Sequence, residues 1–323
     1  LEKHRLLHIF LGLLFLTCSD APKDKMDSTA ETTVLGDIFL VVLGTVQDAG
    51  SPQIACTKKC CAPLFQNPDP NRKVVSLGLI DAQNKKTYLF EATPDIGDQL
   101  NALNSLAPWK APEMPNGIFL THAHIGHYTG LMYLGKEANN AQDVPVYSMP
   151  RMKGFLEGNG PWSQLVSDKN IALNALENKK EISFSGNLDV VPFIVPHRDE
   201  FSETVGYFII GPNKTALFIP DIDKWEKWGQ DIVETLSKVD LAFLDATFYD
   251  AEEIDHRDIS EIPHPFVIES MERFKNLASS EKQKIHFIHF NHTNPLLDPE
   301  SRQSKEVIAK GFNIARPEST YDL

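Results

Sequence analysis

The segment that most constrains this chain is a short apolar run, Ile118-Phe119-Leu120, that ends in His122-Ala-His124-Ile-Gly126-His127. Three histidines in six residues, directly after a strand-like run, place three imidazoles at one strand end. Two residues apart in extended backbone, His122 and His124 enter one cavity if the chain turns there. His127 joins them from the first turn of a following helix. Neutral imidazole is a common ligand for zinc. The fold must therefore put this strand end beside further ligands. His197, Asp221 and His289 each follow another apolar run, and a carboxylate such as Asp221 has two oxygens with which to bridge two ions. His292 competes with His289 for the last position; we assign His289 to metal and His292 to substrate binding.

The strand-like runs are 38–43, 74–80, 87–91, 118–121, 144–148, 190–195, 204–210, 215–219, 241–244 and 285–290. They are rich in β-branched and aromatic residues and bounded by Gly, Pro or Asn. Gly211-Pro212-Asn213-Lys214 reads as a hairpin. Helices are expected over 130–139, 223–237, 265–277 and 300–310. Trp162, Trp225 and Trp228 are read as core residues. No internal repeat is visible, so residues 37–323 form one α/β domain whose size implies face-to-face sheets covered by helices. Ahead of it, basic Lys3 and Arg5 and an apolar run over 6–16 match the core of an export signal, too short to span a bilayer. Residues 1–18 are thus expected to be a signal of lipoprotein type. Cys18 would be the lipidated residue, 19–36 a tether, and the protein exported, periplasmic or held on a membrane by a lipid. The net charge of −13 opposes general nucleic-acid binding, which leaves a small molecule as the expected substrate.

The order of these ligands resembles the metallo-β-lactamase fold superfamily. Spacings of 70, 24 and 68 residues separate His127, His197, Asp221 and His289. The resemblance implies an αββα sandwich of two mixed β-sheets with the metals at one edge. Within that superfamily the chain is similar to relatives of PQQ-biosynthesis protein B. The segments 42–56 (VLGTVQDAGSPQIAC), 92–96 (ATPDI) and 289–298 (HFNHTNPLLD) carry the likeness across the domain. Two departures stand out. The superfamily motif has Asp where this chain has Gly126; the resemblance then leaves His127, Asp221 and His289 for the second metal, with water or another residue filling in, or else a weak second site or a single-metal centre. The biosynthetic proteins carry acidic residues where this chain has His122 and His124, so their role is not transferred.

Cys56, Cys60 and Cys61 lie in one short stretch. They read as a structural zinc site whose fourth ligand comes from elsewhere, His256 or water, or as a disulfide with one thiol left over. The related branch has a comparable zinc segment. At the histidine site one or two zinc ions are expected, with iron or manganese as alternatives. A zinc-bound hydroxide would serve a hydrolase, with phosphoesters or cyclic phosphodiesters as the preferred substrates. His264 is the candidate acid, since phosphodiesterase members such as tRNase Z carry a histidine in a similar place. Asp245 is expected to support catalysis by orienting a ligand histidine, and Arg198 to hold an anionic group. The other readings are an iron-dependent oxygenase like the PQQ relatives and a non-catalytic metal- or ligand-binding lipoprotein.

Overall fold

The computed structural model describes residues 36–110, 113–198, 200–253 and 262–323. The expected signal, tether and Cys18 lie outside the described residues, as does His256. Among the described residues no helix is long and apolar enough to cross a membrane.

In chain order the first half contains β1 (Ile38–Gly44), β2 (Ser76–Asp81), β3 (Lys86–Phe90), helix α1 (Ile96–Leu106) and β4 (Gly117–Phe119). It continues with α2 (Ile125–Tyr128), β5 (Val144–Ser148), α3 (Pro150–Gly158), α4 (Trp162–Ser167) and β6 (Ile171–Ala175). The second half contains β7 (Ile182–Ser185), β8 (Leu188–Ile194), β9 (Val205–Ile210), β10 (Thr215–Ile219), α5 (Ile232–Leu236) and β11 (Leu241–Asp245). It ends with α6 (Val267–Arg273), α7 (Ser279–Lys282), β12 (Ile285–Ile288), α8 (Arg302–Ala309), β13 (Asn313–Ile314) and β14 (Thr320–Asp322). Two seven-stranded mixed sheets result, ordered β14-β1-β2-β3-β4-β5-β6 and β13-β12-β11-β10-β9-β8-β7.

Strand β1 explains the layering. Ile38, Leu40 and Val42 enter a core shared with residues of the second sheet, such as Val190, Tyr207 and Phe218. Phe39, Val41 and Leu43 face the other way, into a core with Leu100 and Leu103 of α1 and Met152 of α3. Both faces are buried, so the strand is apolar throughout rather than alternating. A third core joins the outer face of the second sheet to α5, α6 and α8 through Ile232, Val267 and Val307. Trp225 and Trp228 belong to it, as expected. The αββα sandwich is therefore formed by three apolar layers. In the middle one Phe90 stacks on Phe119 at 4.8 Å and meets Tyr207 edge-on at 5.4 Å. Such pairs add about 0.5–1.5 kcal/mol each beyond area burial.

Some expectations are corrected. The helix expected over 223–237 is a single turn of 3-10 helix (Trp225–Lys227) and the separate α5. Asp231 starts α5 by accepting a bond from Val233 N. The helix expected over 130–139 shortens to a 3-10 segment, Thr129–Leu134.

Candidate metal centre

The ligand residues converge because the strands before them point the same way. β1, β3, β4 and β5 run together in the first sheet, and β8, β10, β11 and β12 in the second. Each apolar strand ends at this edge, and the polar residue after it enters the space between the sheets.

The described donors form three overlapping groups, each with ligand atoms within 4.8 Å of one another: His122, His124, His197 and Asp221; Asp48, His127, Asp221 and His289; and Asp221, Asp245, His264 and His289. In the first group His122 Nε2 lies 2.9 Å from His124 Nδ1 and 3.3 Å from Asp221 Oδ2. His197 Nε2 lies 3.4 Å from His124 Nδ1 and 3.2 Å from Asp221 Oδ2. Four donors around zinc at about 2.0–2.1 Å would stand roughly 3.3 Å apart in a tetrahedron, so this set fits a zinc ion. In the second group Asp48 Oδ1 faces two nitrogens, His127 Nε2 at 3.1 Å and His289 Nε2 at 3.2 Å. Asp221 Oδ2 is 3.9 Å from His127 Nε2. The Asp221 carboxylate thus belongs to every group.

The rings are also fixed from behind. Nδ1 of His122 meets Thr121 Oγ1 at 2.8 Å, and Nδ1 of His197 meets Asp223 Oδ1 at 3.2 Å. Nδ1 of His289 meets Thr247 Oγ1 at 2.8 Å. His127 Nδ1 lies 3.5 Å from Glu91 Oε1, and both of those atoms are buried without a hydrogen bond. Support of this kind selects the tautomer and aims the other nitrogen inward, as is usual for metal-bound histidine. His124 differs, presenting Nδ1 to the cluster. Asp221 Oδ1 is buried and faces His264 Nδ1 at 3.1 Å.

Electrostatics agree with this reading. Burial holds His122 well below its usual range, helped by the neighbouring charge of His127, so it is a neutral donor. Burial also opposes charge on His127, but Asp48 and Glu91 outweigh it and raise the ring well above its usual range. His197 rises to about 9 against its own burial, because of Asp221 and Asp223. Asp221 stays well below the usual carboxylate range despite burial, owing to His197 and His264. The buried carboxylates require positive charge, supplied by protons on the rings or by metal ions in their place.

His264 sits behind Asp221. Its Nδ1 is 2.9 Å from Asp245 Oδ2 and 3.1 Å from Asp221 Oδ1. Its Nε2 makes no hydrogen bond among the described residues, and the ring lines a cleft of about 470 Å³ shared with Arg198, Asp223, Thr247, Phe248 and Asn291. Asp245 is completely buried. It accepts bonds from Thr247 N and Oγ1 and from Ile222 N. It is held at about 2 by His264 and His289, which overcome its burial. Asp245 is therefore a positioning residue: it orients His264, and through Thr247 it orients His289. Arg198 is exposed on the cleft wall, where an anionic group can reach it.

The cysteine site requires a correction. The sequence points to His256 or water for its fourth position and to substrate for His292. The structure instead brings His292 Nδ1 to 3.8, 3.4 and 3.2 Å from Sγ of Cys56, Cys60 and Cys61. The physical reason is the turn after β12, which sends His289 to one cluster and His292, three residues on, to the other. The three cysteines are free thiols, not a disulfide. Zinc bonds of about 2.3 Å to sulfur and 2.0 Å to nitrogen give donor separations of roughly 3.6 Å, so the set fits a closed Cys₃His site. Gln53 N donates to Cys61 Sγ at 3.3 Å. Burial pushes the Cys61 thiol up to about 12, a cost that a metal removes by binding the thiolate.

Asp48, Glu91 and Asp223 were not singled out in the sequence. Asp48 lies in the segment 42–56, but nothing in its neighbours marks it as a ligand.

Comparison with known proteins agrees with this architecture. The model of the β-lactamase superfamily domain matches residues 86–290. Coenzyme PQQ synthesis protein B of Gluconobacter oxydans is 27% identical over 316 residues, covering 88% of this chain and 99% of that one. Zinc-bound PqqB from Methylobacterium extorquens superposes with a TM-score of 0.72 at 21% identity, covering 88% of this chain and all of the other. The short form of human tRNase Z superposes with a TM-score of 0.53 at 13% identity, covering 88% and 98%. From its strand order, its ligand-bearing sheet edge and this match, the chain belongs to the β-lactamase superfamily and has the metallo-β-lactamase fold.

Proposed function

We propose that this protein is a metal-dependent hydrolase of phosphoesters, cyclic phosphodiesters included. The observation that carries the reading is the placement of His264 and Arg198 on one cleft beside Asp221. A zinc ion in the His122, His124, His197 and Asp221 set would lower the pKa of bound water to about 7 and polarise a phosphoryl oxygen. The residues around it divide the remaining work. Asp245 and Asp221 face His264 Nδ1 at 2.9 and 3.1 Å, which leaves Nε2 of this cleft-lining ring to give a proton to a leaving oxygen. Arg198 offers a planar set of donors to non-bridging phosphoryl oxygens. Phe248 and Ile262 supply apolar wall.

The test is turnover of bis(p-nitrophenyl) phosphate, p-nitrophenyl phosphate and cyclic nucleotides by protein loaded with zinc or manganese. Hydrolysis that falls in His264→Ala at unchanged metal content supports the reading. No hydrolysis by fully loaded protein, with oxygen uptake in the presence of Fe(II), would replace it with the oxygenase reading suggested by similarity to PQQ synthesis protein B. Export on a lipid anchor at Cys18 belongs to the same proposal. A Cys18→Ser protein that stays in the membrane fraction would overturn it.

A further inference from the structure

We propose that Asp48, in the loop after β1, is a carboxylate ligand of a second metal ion shared with His127, Asp221 and His289, and that residue 126 is glycine because a side chain there would displace it. The inference rests on the metal-centred reading above and extends it from one ion to two.

Three observations converge. First, a single oxygen, Asp48 Oδ1, stands 3.1 Å from His127 Nε2 and 3.2 Å from His289 Nε2. The far nitrogens of those rings face Glu91 and Thr247, so both rings turn their free donor to the same point. Second, a Cβ on Gly126 would lie 2.3 Å from Asp48 Cα and 2.7 Å from its Cβ. Real Cβ atoms do not approach so closely, and the obstacle is partly backbone. Position 126 therefore cannot carry a side chain while the loop that bears Asp48 stays where it is. Third, the Asp48 loop is stitched to the chain that bears His289. Gln47 N donates to Phe290 O at 2.8 Å, Phe290 N donates to Thr45 O at 2.7 Å, and Gly50 N closes the turn on Gln47 O at 2.9 Å. Gly50 has φ +77°, a conformation that glycine adopts freely. The loop is held independently of the carboxylate, which is left to face the histidines.

An ordinary buried ion pair would also place a carboxylate against imidazole. It would not require the same oxygen to meet two Nε2 atoms beside a third ligand, Asp221, whose Oδ2 lies 3.9 Å from His127 Nε2. A divalent cation shared by these donors explains all of them together.

The experiment is metal content per chain by plasma mass spectrometry on full-length protein equilibrated with zinc. Wild type is expected to hold about three equivalents, one in the Cys₃His set and two in the histidine centre. Asp48→Asn preserves shape and removes the charge; it should hold about two. Gly126→Ala should lose the same equivalent by pushing residue 48 away. If Asp48→Asn retains all three, the inference is wrong while the hydrolase reading stands. If wild type binds only the cysteine-site ion, the hydrolase reading itself fails. Anomalous diffraction at the zinc edge on wild-type crystals needs no variant. An ion within about 2.2 Å of Asp48 supports the assignment, and one more than about 4 Å away overturns it.

Discussion

The two metal-ligating regions of this protein are only three residues apart at His289 and His292, yet they are built in opposite ways. The cysteine cluster takes three donors from one short stretch, 56–61, and one from the chain after β12. Its four donors are enough to close a tetrahedron, and soft thiolates leave no position for substrate. The histidine centre takes its donors from the ends of strands in both sheets. It shares Asp221 among several groups and opens on a cleft. A closed set with three of its four donors on one short stretch suits stability. An open set that exists only once two sheets have packed suits chemistry.

The comparison can be broken from either side. The largest effect is expected from His124→Ala, which should lower hydrolytic turnover by about 10³-fold or more through loss of the ion that activates water. Its melting temperature should stay within a few degrees of wild type. A steep fall in stability would show that the histidine centre is structural too. For His264→Ala we expect a loss of about 10²–10⁴-fold in kcat, the usual range for general acid–base groups, with metal content unchanged. Loss of metal in that variant would make His264 a ligand. Cys60→Ala should do the reverse of His124→Ala. One zinc equivalent disappears and thermal stability drops, since metal binding energy at a closed site is folding energy. Turnover per remaining histidine-centre ion should be preserved at low temperature. Glu91→Gln and Asp223→Asn should weaken metal binding by about 10–100-fold, measured by competition with a chelator, because each braces a ligand ring.

A pH measurement sharpens the contrast between histidines that serve the centre and one that is merely buried. His286 on β12 packs against Phe243 and Tyr321, and its Nδ1 meets Tyr321 Oη at 3.2 Å. Burial lowers it to about 4. The folded state therefore resists protonation that the unfolded chain accepts near pH 6.5. Stability from this residue is complete above that pH and is lost as pH falls toward 4, by about 3 kcal/mol. His286→Leu should flatten the acid side of the stability curve measured by urea unfolding. An unchanged acid limb would place the sensitivity elsewhere.

The strands of the sheet centres were legible because burial on both faces makes them continuous apolar runs, as in β1 and β10. Edge strands were not. β6 (Ile171–Ala175) and β14 (Thr320–Asp322) keep half-buried or exposed positions and polar residues, so their composition resembles that of loops. The helix expected over 223–237 failed for a related reason. Trp225 and Trp228 satisfy a shared apolar core, not a helical face. Their indole nitrogens bond to Ser270 and to Ile194 O.

What the sequence by itself determined is local: that an apolar strand ends in His122, His124 and His127, that three thiols crowd residues 56–61, and that polar ligands follow other apolar strands. Those patterns imply metal binding at strand ends, because strand ends and donor spacing are properties of contiguous chain. What only the tertiary structure decided is which distant groups meet. Asp48 reaches His289 across 241 positions, and His292 reaches Cys61 across 231. No spacing rule encodes such pairings. They exist because parallel strands of two sheets deliver their loops to one edge, where Gly126 leaves the room that Asp48 occupies.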